Sequence, residues 1–242
     1  MRETAEVRSQ MTSKTPLKSE GILLIDKPSG CTSFDLVRHL RKLTKISKIG
    51  HAGTLDPFAT GLMVMLIGRT YTKKSALLMS KDKAYRATLK LGCATTTFDP
   101  EGEVTATSDL IPDDVAIKTA ISEQQGEKEQ IPPMFSAKKV GGKRLYTLAR
   151  KGIEIERKPS LVKLKTTLIS YTYPELVIDV ECSKGTYIRT IADEIGKSLG
   201  CYAHLKSLVR TRSGDFSLDD AKSIEALKEQ PDIWHMHLRH LC

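Results

Sequence analysis

The chain of 242 residues, 40% of them hydrophobic and 28% charged, is long enough to bury a substantial core. No apolar run approaches the roughly 18 residues of a membrane span, and the five cysteines, Cys31, Cys93, Cys182, Cys201 and Cys242, form no CxxC pair. That excludes an obvious zinc site or disulfide framework and fits a reducing cytoplasm, while a net charge of +9 points to a polyanion partner.

Met1 to Glu20 carries scattered charges and no apolar centre, so it is read as a solvated, disordered tail rather than a signal peptide. Gly21 to Asp26 (GILLID) predicts a short buried strand. Pro28-Ser29-Gly30 turns the chain, and Thr32 with Asp35 forms a capping box for a helix whose apolar face is Leu36, Val37, Leu40 and Leu43. Gly50 to Gly61 reads as a glycine-punctuated loop, Leu62 to Ile67 as a second buried strand and Tyr71 to Met79 as a short helix. Ala84 to Leu91 alternates with period two, which places Tyr85 on the apolar side with Ala87, Leu89 and Leu91. Gly92 to Gly102 reads as a polar loop and Pro112 to Gln124 as a helix.

From Gly126 the pattern breaks down. Pro132-Pro133, Gly141-Gly142 and a charge cluster indicate an inserted arm over residues 126–158, with a small helix near Arg144 to Lys151. Between Gly126 and Lys165 stand 11 Lys or Arg against 4 Asp or Glu. Alternation returns over Val162 to Leu168 and Leu176 to Cys182. Ile188, Ile191, Ile195 and Leu199 predict a helix ended by Gly200, Leu205 to Val209 a last strand, and Ser217 with Asp220 a terminal helix. The expected fold class is α+β, a mixed, mostly antiparallel sheet flanked by helices, over residues 21–226. Residues 227–242 read as a short tail, whose three histidines share no helical face and suggest no metal site.

The stretch Gly50-His51-Ala52-Gly53-Thr54-Leu55-Asp56-Pro57-Phe58-Ala59-Thr60-Gly61 carries the most chemical information. Its glycines permit tight turns, and Pro57 biases Asp56 away from helical geometry, which suits a carboxylate presented on a rigid loop. On spacing alone, an aspartate that merely caps the turn is the simpler reading.

GHAGTLDPFATG closely resembles the catalytic motif of TruB-type tRNA pseudouridine synthases. Asp26 to Gly30 (DKPSG), Lys83 to Ala87 (KAYRA), Thr95 to Gly102 (TTTFDPEG), Ile131 to Lys138 (IPPMFSAK), Cys182 to Thr190 (CSKGTYIRT) and Ala203 to Arg210 (AHLKSLVR) resemble further signatures of that family in the same order. The resemblance implies a pseudouridine synthase fold and isomerisation of uridine-55 in the tRNA T loop, without a cofactor or metal. It implies Asp56 as nucleophile or essential base, Arg189 as its partner, and Tyr85 stacked on the target base and aiding proton removal at C5. Tyr187 and Leu208 would line the uracil site. His51 would fill space in the T loop when bases flip out, and Lys27 would support the loop. The basic arm would grip RNA through Lys138, Lys139, Lys143, Arg144, Arg150 and Lys151. If Tyr187 and Arg189 lie in an extended segment, both point the same way. An Asp–Arg pair would lower the carboxylate pKa.

The partner implied is the T arm of tRNA, and the expected working unit is a cytoplasmic monomer. A catalytically silent RNA-binding or tRNA-folding protein on the same fold is the alternative. A phosphotransferase using Asp56 is disfavoured, because position 58 is Phe and no Walker loop is present. Too few residues follow Ala226 for the additional RNA-binding PUA domain that many relatives carry, so binding is expected to rest on the T arm alone.

Overall fold

The computed structural model describes residues 20–136 and 138–241, with Lys139 and Arg144 through their backbone alone. Of the expected N-terminal tail, all but Glu20 lies outside the described residues.

Strand β1 (Gly21–Lys27) leads into helix α1 (Ser33–Thr44). The capping box forms: Thr32 Oγ1 accepts from the Asp35 N–H, and the Asp35 carboxylate accepts from the Thr32 N–H. A short β2 (Ile49–His51) and the long β3 (Thr60–Ile67) bracket the glycine-rich loop. β1 pairs antiparallel with β3 along its whole length, from Gly21↔Ile67 to Lys27↔Gly61. Their side chains alternate between two cores. Leu23, Ile25, Met63, Met65 and Ile67 face the larger one, and Ile22, Leu24, Leu62, Val64 and Leu66 the smaller. A strand covered on both faces reads as a continuous apolar run, which is why GILLI and LMVMLI were legible.

The expected helix 71–79 is two pieces, α2 (Arg69–Thr72) and α3 (Ser75–Met79), which drop Tyr71 and Leu78 into the smaller core. β4 (Lys83–Leu91) runs through the sheet centre. The expected polar loop after it is partly a two-stranded hairpin, β5 (Cys93–Thr95) with β6 (Val104–Thr107). Helix α4 (Asp114–Ser122) is capped by Asp113.

The expected arm starts too early. β7 (Gly126–Gln130) is a strand of the main sheet, paired antiparallel with β10 (Ser160–Thr172) from Ser160↔Gln130 to Leu164↔Gly126. Its GEKEQ sequence is polar because it is an edge strand held by backbone pairing rather than by apolar side chains. The arm proper lies between them and carries the small ladder β8 (Lys139–Val140) with β9 (Lys143–Arg144), then helix α5 (Leu145–Ala149).

β11 (Glu175–Cys182) is followed by α6 (Ile188–Ser198), which buries Ile188, Ile191 and Ile195. A Cβ on Gly196 would lie 2.1 Å from the Ala203 nitrogen, so glycine permits the helix to press onto β12 (Ala203–Ser213). That strand is longer than expected. It pairs antiparallel with β4 and parallel with β3 through Val209↔Thr60 and Arg210↔Gly61. The sequence at Ser217 gives only a single 3-10 turn, Leu218–Asp220, after β13 (Phe216–Ser217). The terminal helix α7 (Ile224–Glu229) begins later, capped by Ser223 at the end of β14 (Lys222–Ser223).

The sheet order is β14-β1-β3-β12-β4-β11-β10-β7, with β2 on β3 and β13 on β12. Helices α1, α4, α6 and α7 cover one face. On the other face of β4, β10, β11 and β12, ion pairs such as Arg86–Asp179 at 2.8 Å and Arg212–Glu181 at 2.8 Å take the place of a covering layer. Residues 227–241 are no loose tail: Leu227 and Trp234 are buried, Ile22 and Arg239 exchange backbone hydrogen bonds at 2.8 Å, and Tyr71 Oη lies 3.0 Å from His240 Nδ1.

Candidate active site

The Asp56 loop is held from three sides. From α1, Ser33 Oγ donates to the Leu55 carbonyl at 3.1 Å and accepts from its N–H at 3.0 Å. From β1, the fully buried Lys27 Nζ donates to the Pro28 and Pro57 carbonyls, both at 3.0 Å. Burial holds its pKa below the usual lysine value. From β12, Arg210, 1% exposed, donates to the carbonyls of Leu62 at 2.7 Å, Gly53 at 3.2 Å and Thr54 at 3.4 Å. The close crossing beside it explains Gly61: with φ +96, a Cβ there would meet the Arg210 carbonyl at 2.5 Å.

Asp56 lies in the cleft that this loop borders. Arg189 Nε is 3.1 Å from Asp56 Oδ2. The same guanidinium reaches a second acid: Nη1 lies 3.0 Å from Asp99 Oδ2 and 3.3 Å from the Thr97 carbonyl, while Nη2 donates to the Phe135 carbonyl at 2.8 Å. Asp99 is itself locked: its Oδ1 accepts from Thr97 Oγ1 and from the Glu101 N–H at 3.0 Å, and its carbonyl accepts from Thr95 Oγ1 at 2.8 Å. Phe98, at φ +62, occupies the left-handed region just before it, a strained position of the kind found at functional sites.

The expected lowering of the Asp56 pKa is not what this environment produces. Desolvation by the cleft walls pushes it above the ordinary value, Asp99 adds to the rise, and Arg189 opposes without reversing it. Nor is the segment around Arg189 extended. Tyr187 is the N-cap residue of α6 and Arg189 its second helical residue, yet both line the cleft. A cation there opposes the helix dipole, and two carboxylates compensate it.

The cleft encloses about 290 Å³ and is lined by Gly53 to Asp56, Met79, Lys83, Tyr85, Ser136, Cys182, Ser183, Gly185 to Arg189, Leu208 and Arg210. Asp56, Tyr85, Tyr187, Arg189 and Leu208 thus meet in one place, from a loop, two strands and a helix. Burial raises the Tyr85 phenol pKa, with Arg210 opposing, so the group is neutral near pH 7 and a weak proton acceptor. Burial likewise pushes the Cys182 thiol up to about 11, which leaves it without nucleophilic character at neutral pH.

His51 and Lys27 do not line the cleft. His51 ends β2, half-buried, with its Nδ1 buried and unpartnered; burial and the nearby Arg210 keep its pKa low. In the arm, Lys143, Arg150 and Lys151 are exposed, Arg150 lying 5.7 Å from the Tyr146 ring centre. Lys138 is engaged instead, donating to Ser160 Oγ at 2.9 Å. The side chains of Lys139 and Arg144 lie outside the described residues.

Asp99, Arg210, Ser33 and Lys83 also hold or line the site, although the sequence does not single them out. Asp99 lies within TTTFDPEG and Arg210 within AHLKSLVR, and an arginine in an apolar strand is a signal for a buried cation with fixed partners.

A partly exposed carboxylate held by a fixed guanidinium in a cleft walled by two tyrosines and a leucine is the kind of arrangement found in an enzyme active site. Residues 41–188 match the TruB family pseudouridylate synthase N-terminal domain, and residues 189–240 the tRNA pseudouridylate synthase B C-terminal domain. The chain is 57% identical over 208 residues to the tRNA pseudouridine synthase B of Protochlamydia amoebophila (strain UWE25), covering 86% of this chain and 79% of that protein. It is 45% identical to that of Bordetella pertussis (strain Tohama I / ATCC BAA-589 / NCTC 13251), covering 92% of each. Among solved structures, a Cbf5-Nop10-Gar1 complex superposes with a TM-score of 0.71 at 26% identity, covering 89% of this chain and 56% of that one. The chain belongs to the TruB family of pseudouridylate synthases.

Proposed function

We propose that this chain isomerises uridine-55 in the T loop of tRNA to pseudouridine, with Asp56 as nucleophile or essential base and the T arm as the docked element. The supporting observation is the Asp56–Arg189 pair at 3.1 Å inside a cleft that also holds Tyr85, Tyr187 and Leu208.

The reaction breaks the C1′–N1 bond and forms C1′–C5. The proton at C5 is lost and N1 gains one, so product and substrate have the same mass. Asp56 does this either by attacking C1′ as the glycosidic bond breaks, or by removing the 2′ proton to give a glycal. Both need the ionised carboxylate, and a desolvated carboxylate directed by a fixed guanidinium is more reactive than a solvated one. Tyr85 and Leu208 supply flat and apolar walls for the detached uracil while it turns. Neutral Tyr85 serves better as a wall and hydrogen-bond donor than as a strong base at C5.

The base must leave its stack to reach the cleft. The exposed Lys143, Arg150 and Lys151 on the arm would hold phosphates. His51, two residues before the cleft-lining Gly53, would meet the loop at the cleft entrance, and Lys27 acts through the loop it supports. The free thiols of Cys31, Cys93, Cys182 and Cys201 support a reducing, cytoplasmic setting.

The test is incubation of purified protein with unmodified tRNA, followed by chemical mapping of pseudouridine. Modification at the T-loop uridine with no change in RNA mass is the expected result. RNA that is bound but unmodified would establish the catalytically silent reading instead.

A further inference from the structure

Gln130 is the last residue of β7 and stands where the sheet gives way to the arm. It is 1% exposed. Its side-chain amide pairs with the backbone of Tyr187, 57 residues away, as a strand would: Nε2 donates to the Tyr187 carbonyl at 3.1 Å, and Oε1 accepts from the Tyr187 N–H at 2.8 Å. Tyr187 is the N-cap of α6 and has no side-chain capping bond of its own. In a capping box the third helical residue returns a bond to the N-cap N–H. Here that residue is Thr190, whose Oγ1 is buried without a partner. Gln130 fills the role from another element.

What it caps is the turn that carries Arg189. Five residues beyond Gln130, the Phe135 carbonyl accepts from Arg189 Nη2 at 2.8 Å, and Ser136 lines the cleft. The segment 130–136 therefore touches the backbone at the start of α6, the guanidinium two residues into it, and the cleft itself. A purely local cap would need only the first of these contacts.

We propose that Gln130 is a positioning residue for the isomerisation: it sets the first turn of α6 so that Arg189 and Tyr187 face Asp56, and ties that turn to the root of the arm. The proposal rests on the reading of the site given above. Fixing one guanidinium to two carboxylates and two carbonyls needs its backbone origin defined to a fraction of an ångström, and misplacement on the scale of 1 Å costs orders of magnitude in rate.

The experiment is a double-mutant cycle on the full chain with unmodified tRNA, reading single-turnover rate and RNA affinity separately. Gln130→Met keeps the volume and removes both hydrogen bonds. We expect its rate at saturating RNA to fall roughly tenfold to a hundredfold, with affinity little changed. In an Arg189→Ala background the same substitution should cost markedly less than in the wild type, because the arginine is gone and only Tyr187 remains to be misplaced. Should Gln130→Met fail to fold, Gln130→Glu goes through the same cycle; it keeps the acceptor for the Tyr187 N–H and loses the donor to its carbonyl. A loss confined to RNA affinity, or a rate loss that multiplies with that of Arg189→Ala, overturns the proposal. A wild-type chain that leaves tRNA unmodified would instead overturn the function it rests on.

Discussion

Asp99 Oδ2 sits 3.0 Å from Nη1 of Arg189, on the same guanidinium whose Nε faces Asp56 at 3.1 Å. Arg189 is therefore shared between a carboxylate that is almost wholly buried and structurally locked, and one that opens into the cleft. The locked acid fixes the arginine, so that the arginine can direct Asp56. Such an arrangement is preorganised before any substrate is present.

We predict that Asp99→Asn lowers the single-turnover rate by roughly tenfold to a hundredfold. The amide conserves shape but turns a donor or a neutral oxygen toward Nη1, and it breaks a buried pair, which destabilises by about 3 kcal/mol. Thermal unfolding and rate measurements on the same sample check both effects. A variant with wild-type rate would mean that Asp56 alone orients Arg189.

The pH dependence follows from the same pair. In the proposed reaction Asp56 acts as the carboxylate, and its pKa lies above the ordinary 3.8 because burial outweighs Arg189. Activity should therefore be full above that raised pKa and fall as pH drops through it, an acid limb at higher pH than a solvated aspartate would give. Asp99 contributes to the rise as a like charge, so Asp99→Asn should move the limb to lower pH. A limb that moves the other way contradicts the assignment. Asp56→Asn should abolish turnover while tRNA affinity stays within a few-fold, and a verified pure Asp56→Asn protein that turns over removes Asp56 from the centre of the reaction.

Much of this was legible in the sequence where the cause was local. The capping box of Thr32 and Asp35 spans three residues, and the apolar runs of β1 and β3 declare strands buried on both faces. The resemblance points to Asp56, Tyr85, Tyr187, Arg189 and Leu208, which line the cleft, and to His51 and Lys27, which do not. Asp99 was not read as part of the site because its partner is 90 residues away and nothing in TTTFDPEG marks which acid turns inward. β7 was assigned to the arm because an edge strand of sequence GEKEQ is fixed by the β10 backbone, which leaves no side-chain periodicity to detect. The Asp56 pKa follows the same pattern: Arg189 lowers it as the pair implies, but the desolvation that outweighs Arg189 is not visible in sequence.

Arg189→Ala should lower turnover by orders of magnitude, and Arg189→Lys should recover little. The arginine uses Nε, Nη1 and Nη2 toward Asp56, Asp99, Thr97 and Phe135, in directions set by a planar fork. A lysine keeps the charge and can satisfy at most part of that set. Single-turnover rates of the two variants decide it: full rescue by lysine would show that charge alone, and not the fork, is what the site requires.

The last prediction concerns how the arm holds RNA. A cation that binds a phosphate releases counterions, so each such contact adds about 0.7 to 0.9 to the slope of log affinity against log salt. Lys143, Arg150 and Lys151 are exposed on the arm. Lys138 carries the same charge, but its ammonium already donates to Ser160 Oγ at 2.9 Å at the foot of the arm. The four are therefore not equivalent, although sequence alone gave no way to rank them. Neutralising Lys143, Arg150 and Lys151 together should flatten the slope by about 2 to 3 and weaken binding most at low salt, with the rate at saturating RNA little affected. Lys138→Met should leave the slope nearly unchanged and act instead on arm stability, because it removes a tether rather than a phosphate contact. Affinity titrations at several salt concentrations separate the cases. An unchanged slope in the triple variant would place the RNA backbone on another surface, and a full unit lost on Lys138→Met would mean that the lysine leaves Ser160 for a phosphate when RNA binds.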